Sequence, residues 1–217
     1  MLGWLGQLVV FVIGGVVGAA LDHLHVLSGV LTYPPRQYDL IRTPSFFGVA
    51  ALVMTYPYRL VFRRAALRWN SPVPTLMFVS GFAAAYALTA FQKDRPVLVA
   101  VILFVSWVPL ALRAPRVWLY GLAVGVIGPL VEATLQACGT FTYVAPGLIP
   151  WLRVPIWLPC LYLHASLAAR GLDMVLFQSH RRYRQLVPKH HHPKVAPAAV
   201  GAEPPLAEPA LIKVTER

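Results

Sequence analysis

Long apolar runs alternate with short polar connections through the first 172 residues, and this pattern predicts membrane-spanning helices. A helix that crosses a hydrocarbon layer of about 30 Å needs about 20 mostly apolar residues, and about 17 suffice when flanking side chains reach the interface. Six runs meet that length: approximately Leu2 to Leu21, Pro44 to Phe62, Val73 to Phe91, Pro96 to Leu112, Val117 to Cys138 and Val154 to Leu172. The pattern therefore predicts an all-α fold, a polytopic bundle of six transmembrane helices over residues 1–172.

The character of the chain changes after residue 172. Residues 173–189 are basic and could form a short amphipathic helix on the membrane surface. Residues 190–217 are rich in Pro and Ala without apolar periodicity, which predicts a disordered tail. Three adjacent histidines, His190 to His192, form no preset ligand geometry, so we expect no metal there. At the other end no Lys or Arg precedes Arg36, which favours an uncleaved first helix over a signal peptide.

Lys and Arg residues in the short connections predict the orientation of the bundle, because cytoplasmic loops of membrane proteins carry an excess of them. Ten lie on one predicted side: Arg59, Arg63, Arg64, Arg68, Arg113, Arg116, Arg170, Arg181, Arg182 and Arg184. Five lie on the other: Arg36, Arg42, Lys93, Arg95 and Arg153. This asymmetry predicts both termini in the cytoplasm, which agrees with an even number of spans.

Composition supports the same reading and excludes a soluble domain. Hydrophobic residues make up 58% of the 217 residues, the mean hydropathy is +0.62, and only 12% of residues are charged, against about 25% in soluble domains. A net charge of +11 would favour nucleic acid if it lay on one face. Here the arginines lie between apolar runs and are concentrated in the C-terminal region, so we interpret them as topology signals and expect no nucleic-acid partner.

Glu132 is the only ionisable residue between Val117 and Leu135. Ionisable residues inside spans usually face the protein interior or a wet cavity and find a partner there. Three interpretations stay open: a structural pair, a polar anchor for a lipid ligand, or a catalytic acid whose proton burial would retain. Neighbouring polar residues that could pair with it are Thr134, Gln136, Thr140, Thr142, Tyr143 and Arg153.

Aromatic residues are concentrated in spans two to four. Phe78, Phe82 and Tyr86 recur at i, i+4 and i+8 and form one stripe on the third helix. Such a stripe is typical of core packing, and the alternative is a pocket for an acyl chain or ring system. On the second interpretation the candidate ligand-binding residues are Phe47, Tyr56, Phe82, Tyr86 and Trp107, together with Glu132 and Gln136.

Other polar or reactive residues offer less chemistry. The stretch from Asp22 to His25 lies at the end of the first run, where we expect a polar cap at the headgroups or a lipid-headgroup contact. Its two histidines point about 200° apart on a helix, so they do not converge on a metal. Cys138 and Cys160 suggest neither a disulfide framework nor a thiolate cluster. No phosphate-binding loop or hydrolase triad is evident, and we expect no cofactor and no metal.

Glycines at helical spacing predict close contacts between helices. Gly14, Gly15 and Gly18 lie in the first run, and Gly121, Gly125 and Gly128 lie in the fifth. Small residues let helix backbones approach closely in lipid. The contact is either within the chain or between copies in a homo-oligomer.

Three segments resemble the Insig proteins, sterol-regulated membrane proteins of the endoplasmic reticulum: Gly121-Leu-Ala-Val-Gly125, Gly139-Thr-Phe-Thr-Tyr-Val-Ala-Pro146 and Trp157-Leu-Pro-Cys160. Leu31-Thr-Tyr-Pro-Pro35 is similar to the family's Leu-Phe-Pro-Pro turn after the first span. Tyr56-Pro57 matches a Tyr-Pro near the end of its second span. The resemblance implies a six-span, non-enzymatic bundle that binds lipid.

Eukaryotic Insigs bind oxysterols between their helices and retain a sterol-sensing partner. The segment Arg113-Ala-Pro-Arg116 has no counterpart of the acidic residue that those proteins need for partners. Gln92 lies near the position of their ligand-contacting Gln, and the resemblance makes it a candidate ligand-binding residue. A composition heavy in Ala, Val, Arg and Pro indicates a high-GC bacterium, where we expect the protein in the cytoplasmic membrane.

These observations predict an Insig-like protein that holds a membrane lipid in a cavity between its helices, in a sensing or regulatory role. We expect a neutral glycerolipid such as diacylglycerol rather than a sterol, because the aromatic and proline-broken faces suit acyl chains and no cationic cage for a phosphate is evident. The alternative is an intramembrane enzyme that modifies an isoprenoid, a carotenoid cyclase or an isomerase, with Glu132 as the proton donor. No protein partner can be named from the residues.

Overall fold

The computed structural model describes residues 3–35, 42–61, 73–112 and 115–173. Within these ranges the chain is mostly helical. Its elements in chain order are α1 (Gly3–Ser28), β1 (Leu31–Thr32), α2 (Arg42–Val61), α3 (Val73–Phe91), α4 (Pro96–Leu112), α5 (Pro115–Ala137), β2 (Thr142–Tyr143) and α6 (Leu158–Asp173). Apart from Asp173, the predicted basic segment at 173–189 and the predicted tail at 190–217 lie outside the described residues.

The six helices in these ranges correspond to the six predicted apolar runs. Trp4–Ser28 and Val117–Ala137 are long and apolar enough to cross a membrane, and Leu76–Phe91 and Pro96–Leu112 are shorter apolar helices. Pro57 does not end α2, although proline removes one backbone hydrogen bond. The helical fold is therefore confirmed, whereas six full spans and cytoplasmic termini remain predictions.

Helix α6 lies at the centre of the described bundle, where it contacts α2, α3, α4 and α5. Small residues such as Ala165, Ser166 and Ala168 line much of it and are buried. Short side chains let several helices approach one backbone closely, which is the arrangement that membrane bundles favour. Even Arg170 is buried in α6, with its guanidinium over the ring of Phe78 at 5.5 Å.

The predicted glycine faces make contacts within the chain. A Cβ added to Gly14 would lie 2.3 Å from the Cβ of Ala51, so α1 and α2 approach more closely there than any larger residue allows. On α5, a Cβ on Gly128 would lie 2.3 Å from the ring of Tyr162. Of the two alternatives left open by the sequence, these contacts support packing within the chain.

Helix α1 continues to Ser28, two turns beyond the predicted end at Leu21. The prediction of a polar cap at Asp22 to His25 is wrong for two of its residues, because Asp22 is 3% exposed and His25 is 1% exposed. The helix ends instead where the Lys93 ammonium donates a hydrogen bond to the Ser28 carbonyl. Gly29 follows with φ +70°, the left-handed conformation that commonly ends helices.

A two-stranded antiparallel sheet joins the connection after α1 to the connection after α5. Leu31 pairs with Tyr143, and Thr32 pairs with Thr142. An isolated bridge between Leu148 and Pro155 closes the second connection, and α6 therefore starts at Leu158 rather than at the predicted Val154. We call this end of the bundle the sheet end. Its core is buried around Val30, Val99, Val154, Trp157 and Leu158.

Candidate functional site

Glu132 accepts hydrogen bonds from two tyrosine hydroxyls at the sheet end. Tyr143 from β2 donates to Oε2, and Tyr162 from α6 donates to Oε1 at 2.6 Å. Glu132 lies in the last third of α5, and α6 packs along the same face of that helix. The sequence predicted Tyr143 as a neighbour of Glu132, whereas Tyr162 was not predicted.

A second buried acid lies on α1. Asp22 accepts a hydrogen bond from the hydroxyl of Tyr33, with an oxygen–oxygen distance of 2.8 Å. Tyr33 reaches back to it from the residue after β1, so the short strand brings donor and acceptor together. The sequence predicted this acid in a polar cap at the headgroups rather than in a buried pair, because a charged residue at the end of an apolar run usually lies at the membrane interface.

Tyr86 has a buried hydroxyl group near both acids. It lies on α3 within electrostatic range of both Asp22 and Glu132. The ring of His25 stacks on the ring of Tyr86, with ring centroids 4.2 Å apart. The ring of Phe82 meets the Tyr86 ring edge-on, with centroids 5.7 Å apart. Asp22, Tyr33, Tyr86, Glu132, Tyr143 and Tyr162 together form a cluster that we call the tyrosine–acid network.

Tyr143 is anchored from two directions. Its backbone N–H donates to Oε1 of Gln136 at 2.8 Å, while the Gln136 Nε2 group donates to the carbonyl of Arg153 at 3.0 Å. Burial raises the pKa of the Tyr143 hydroxyl well above its ordinary value. The hydroxyl therefore stays protonated and available as a donor to Glu132.

A groove of about 400 Å³ lies at the opposite end of the bundle, between the start of α1 and the end of α2. Most of its lining is apolar, and three polar side chains take part: Gln7, Thr55 and Tyr56. The Thr55 hydroxyl donates to the Ala51 carbonyl at 2.7 Å, which leaves its oxygen lone pairs as acceptors. The volume lies within the range of about 300–1,000 Å³ that is usual for small-molecule sites.

The eight predicted ligand-binding residues occupy several places in the fold. Glu132, Tyr86, Phe82 and Gln136 meet in or beside the tyrosine–acid network, as described above. Tyr56 lines the groove. The other three lie elsewhere. Phe47 packs against Gly18 of α1, and Trp107 is buried beside Gly121 of α5. Gln92 is exposed in the connection after α3.

The described residues offer no group of three or more His, Cys, Asp or Glu side chains that could hold a metal ion. Cys138 is exposed and Cys160 is half-buried, and both are free thiols. His164, buried on α6, donates from Nε2 to the Leu103 carbonyl at 2.9 Å, so that nitrogen cannot also act as a base toward nearby Ser106. The polar groups of the candidate site are therefore the carboxyl and hydroxyl groups of the tyrosine–acid network.

No protein-family model matches the sequence, and no curated protein matches it. Two solved structures match the fold: the Insig homologue MvINS from Mycobacterium vanbaalenii, with a TM-score of 0.64, and a cross-linked MvINS trimer, with a TM-score of 0.63. Each is 23% identical in sequence, and the match covers 79% of this chain and 93% of the other. The chain has the Insig fold.

The Insig fold confirms the resemblance seen in the last third of the sequence. Gly121 and Gly125 allow α5 to approach Trp107 and α6, and Trp157 at the start of the Trp-Leu-Pro-Cys segment is fully buried. The fold and the apolar helices α1 and α5 indicate an integral membrane protein.

Proposed function

We propose that this protein is an Insig-like lipid-binding protein of the bacterial cytoplasmic membrane. Its six helices span the bilayer with both termini in the cytoplasm, and its role is sensing or regulatory rather than catalytic. The groove between α1 and α2 carries the proposal, because it combines an apolar lining with a few polar groups at one end of a membrane bundle.

The chemistry of the groove favours a neutral glycerolipid such as diacylglycerol. Among the described residues that line it, none is charged, so a phosphate headgroup would lack a cationic partner there. The Thr55 oxygen can accept from a free hydroxyl, and the exposed Tyr56 hydroxyl can donate or accept. Leu52 and Val53 provide apolar surface for an acyl chain.

Lipid extraction and mass spectrometry of protein purified in mild detergent test this proposal. Val53→Phe should narrow the groove and reduce the enriched neutral lipid about tenfold, because the ring occupies volume that an acyl chain would fill; a tenfold loss corresponds to about 1.4 kcal/mol of binding free energy. Val49→Phe is the matched control: Val49 is also an exposed valine on α2, one turn away, and it does not line the groove. If no lipid is enriched over the bulk membrane, the proposal fails.

The second candidate is an intramembrane enzyme that modifies an isoprenoid, as a cyclase or isomerase, with Glu132 as the proton donor. The observation that favours it is the pair of acids, Asp22 and Glu132, that share one buried network with Tyr86. Against it, both oxygens of Glu132 are already engaged by tyrosine hydroxyls. Loss of a product in cells with Glu132→Gln at unchanged expression would establish this candidate.

We also propose a homo-oligomer, supported by the cross-linked trimer of MvINS. Among the described residues, α4 and α5 carry exposed apolar side chains that a second copy or lipid could cover, such as Val101, Val105 and Val126. Light scattering of the purified protein, corrected for bound detergent, should give a mass above that of one chain. A mass of one chain across a range of concentrations would contradict the oligomer.

A further inference from the structure

Two nitrogen atoms buried at the sheet end have no hydrogen-bond partner within the part of the chain that the structure describes. They are Nδ1 of His25 and Nε1 of Trp157, and their side chains are 1% and 0% exposed. Buried polar atoms in folded proteins nearly always have a partner, which is either a protein group or an ordered water. These two nitrogens therefore indicate a bound group that can form hydrogen bonds with them.

The hydrogen bonds of His25 fix which of its nitrogens carries the proton. The Thr89 hydroxyl donates to the Tyr86 carbonyl at 2.6 Å, so its oxygen can only accept from His25. His25 lies 2.7 Å from that oxygen through Nε2, which must then be the N–H donor. In the neutral ring Nδ1 consequently carries a lone pair and is an acceptor.

Trp157 offers the complementary group. Its indole Nε1–H can only donate, and a buried indole usually finds an acceptor. The rings of His25 and Trp157 are neighbours, with centroids 5.6 Å apart and an interplanar angle of 57°. A donor and an acceptor, both unpaired and both buried, thus lie on adjacent rings from α1 and from the turn before α6.

A hydroxyl oxygen satisfies both atoms at once, because it accepts from an N–H and donates its own proton to a lone pair. A carbonyl oxygen would leave Nδ1 unpaired, and an ammonium would leave Nε1 unpaired. The ring of Tyr86 stacks on His25, and the ring of Tyr143 meets Trp157 edge-on with ring centroids 6.3 Å apart. The oxygen would therefore lie beside aromatic rings of the tyrosine–acid network.

This place is distinct from the groove. Val10 lines the groove and His25 lies 15 residues further along α1, which corresponds to about 22 Å at 1.5 Å per residue. A lipid whose hydroxyl binds Thr55 cannot place the same hydroxyl between His25 and Trp157.

We propose that His25 and Trp157 form a binding site for a single hydroxyl oxygen, which accepts from Trp157 Nε1–H and donates to His25 Nδ1. The oxygen belongs to an ordered water or to the free hydroxyl of a second neutral lipid molecule. Only the lipid alternative rests on the proposed function.

A structure at a resolution that shows ordered water tests the site, with protein stripped of lipid by detergent exchange and with protein loaded with 1,2-dioleoylglycerol. We expect density for an oxygen within about 2.7–3.2 Å of both nitrogens. Density in both preparations supports the site with water as its occupant, and density only after loading supports it with the lipid hydroxyl. Absence of the oxygen in both preparations overturns the proposal.

A spectroscopic measurement gives an independent test. The ultraviolet resonance Raman spectrum of the native protein minus that of Trp157→Phe isolates the Trp157 indole, and we expect the signature of a hydrogen-bonded N–H. The matched difference with Trp118→Phe reports a tryptophan that is 41% exposed and controls for the substitution itself. A free N–H at Trp157 overturns the proposal.

The outcome separates the site from the proposed function. If no lipid is enriched in the purified protein and the oxygen is still present between the two nitrogens, the lipid-binding function fails and the hydroxyl site stands. If lipid is enriched and the oxygen is absent, the lipid-binding function stands and the hydroxyl site fails.

Discussion

Removal of one hydroxyl from the tyrosine–acid network should lower the stability of the bundle measurably. Tyr162→Phe deletes the donor to Glu132 Oε1 and retains the ring that packs against Gly128. The change therefore isolates one hydrogen bond from the packing around it.

The expected magnitude follows from two comparisons. Hydrogen bonds between membrane helices average about 0.6 kcal/mol and reach about 1.7 kcal/mol, whereas bonds to a charged group contribute about 1.5–3 kcal/mol. Glu132 keeps its bond from Tyr143, so we expect a loss of about 1–2 kcal/mol. For a chain of this size each kcal/mol lowers Tm by about 2–4 °C, which gives a decrease of about 2–8 °C.

Thermal unfolding in mild detergent, followed by tryptophan fluorescence, measures this shift. Tyr56→Phe is the control, with all variants stripped of lipid by detergent exchange, because Tyr56 is 54% exposed, lies outside the network and then has no lipid contact to lose. The same measurement in a Glu132→Gln background completes a double-mutant cycle, and a coupling energy above about 0.5 kcal/mol is expected for residues in one network. The reasoning is refuted if Tyr162→Phe shifts Tm no more than Tyr56→Phe does.

Three further substitutions test the packing and the backbone by the same unfolding measurement. Gly128→Ala should destabilise by about 1–3 kcal/mol, because its Cβ would lie 2.3 Å from the ring of Tyr162. Gly81→Ala should stabilise by up to about 1 kcal/mol through helix propensity, since no atom lies within 4 Å of the new Cβ; equal effects at the two glycines would contradict this. Arg153→Gly should stabilise by about 0.5–1 kcal/mol because Arg153 has φ 55°, and a decrease in Tm would be the opposite of the expectation.

The helices were the most predictable part of the structure. The predicted spans Val73 to Phe91 and Pro96 to Leu112 coincide with α3 and α4, because each is a mostly apolar run without a charged residue and charged residues lie between the two. The start of α6 was less predictable. Residues 154–157 are apolar like the helix, but the bridge between Leu148 and Pro155 and backbone hydrogen bonds to Gly147 and Ile149 tie them to the preceding connection.

The candidate site was predicted only in part, since its members come from distant segments. Glu132 and Tyr143 are close in sequence, and the sequence predicted both the buried acid and Tyr143 as a possible partner. The buried hydrogen bond between Asp22 and Tyr33 was not predicted, because two-residue strands have no periodicity and the pairing of Leu31 with Tyr143 spans more than a hundred residues. No local signal in the sequence specifies such a contact.

The positions of the network and the groove at opposite ends of α1 decide how the tests can be interpreted. Val10 and Asp22 are 12 residues apart on one helix, or about 18 Å, and substitutions separated by more than about 7–10 Å without shared partners usually act independently. A loss of lipid from Val53→Phe therefore reports on the groove and leaves the hydrogen bonds of Glu132 unchanged. Conversely, a loss of stability from Tyr162→Phe with lipid retained would assign the hydrogen bond to Glu132 a structural role and would support the groove as the place of the retained lipid.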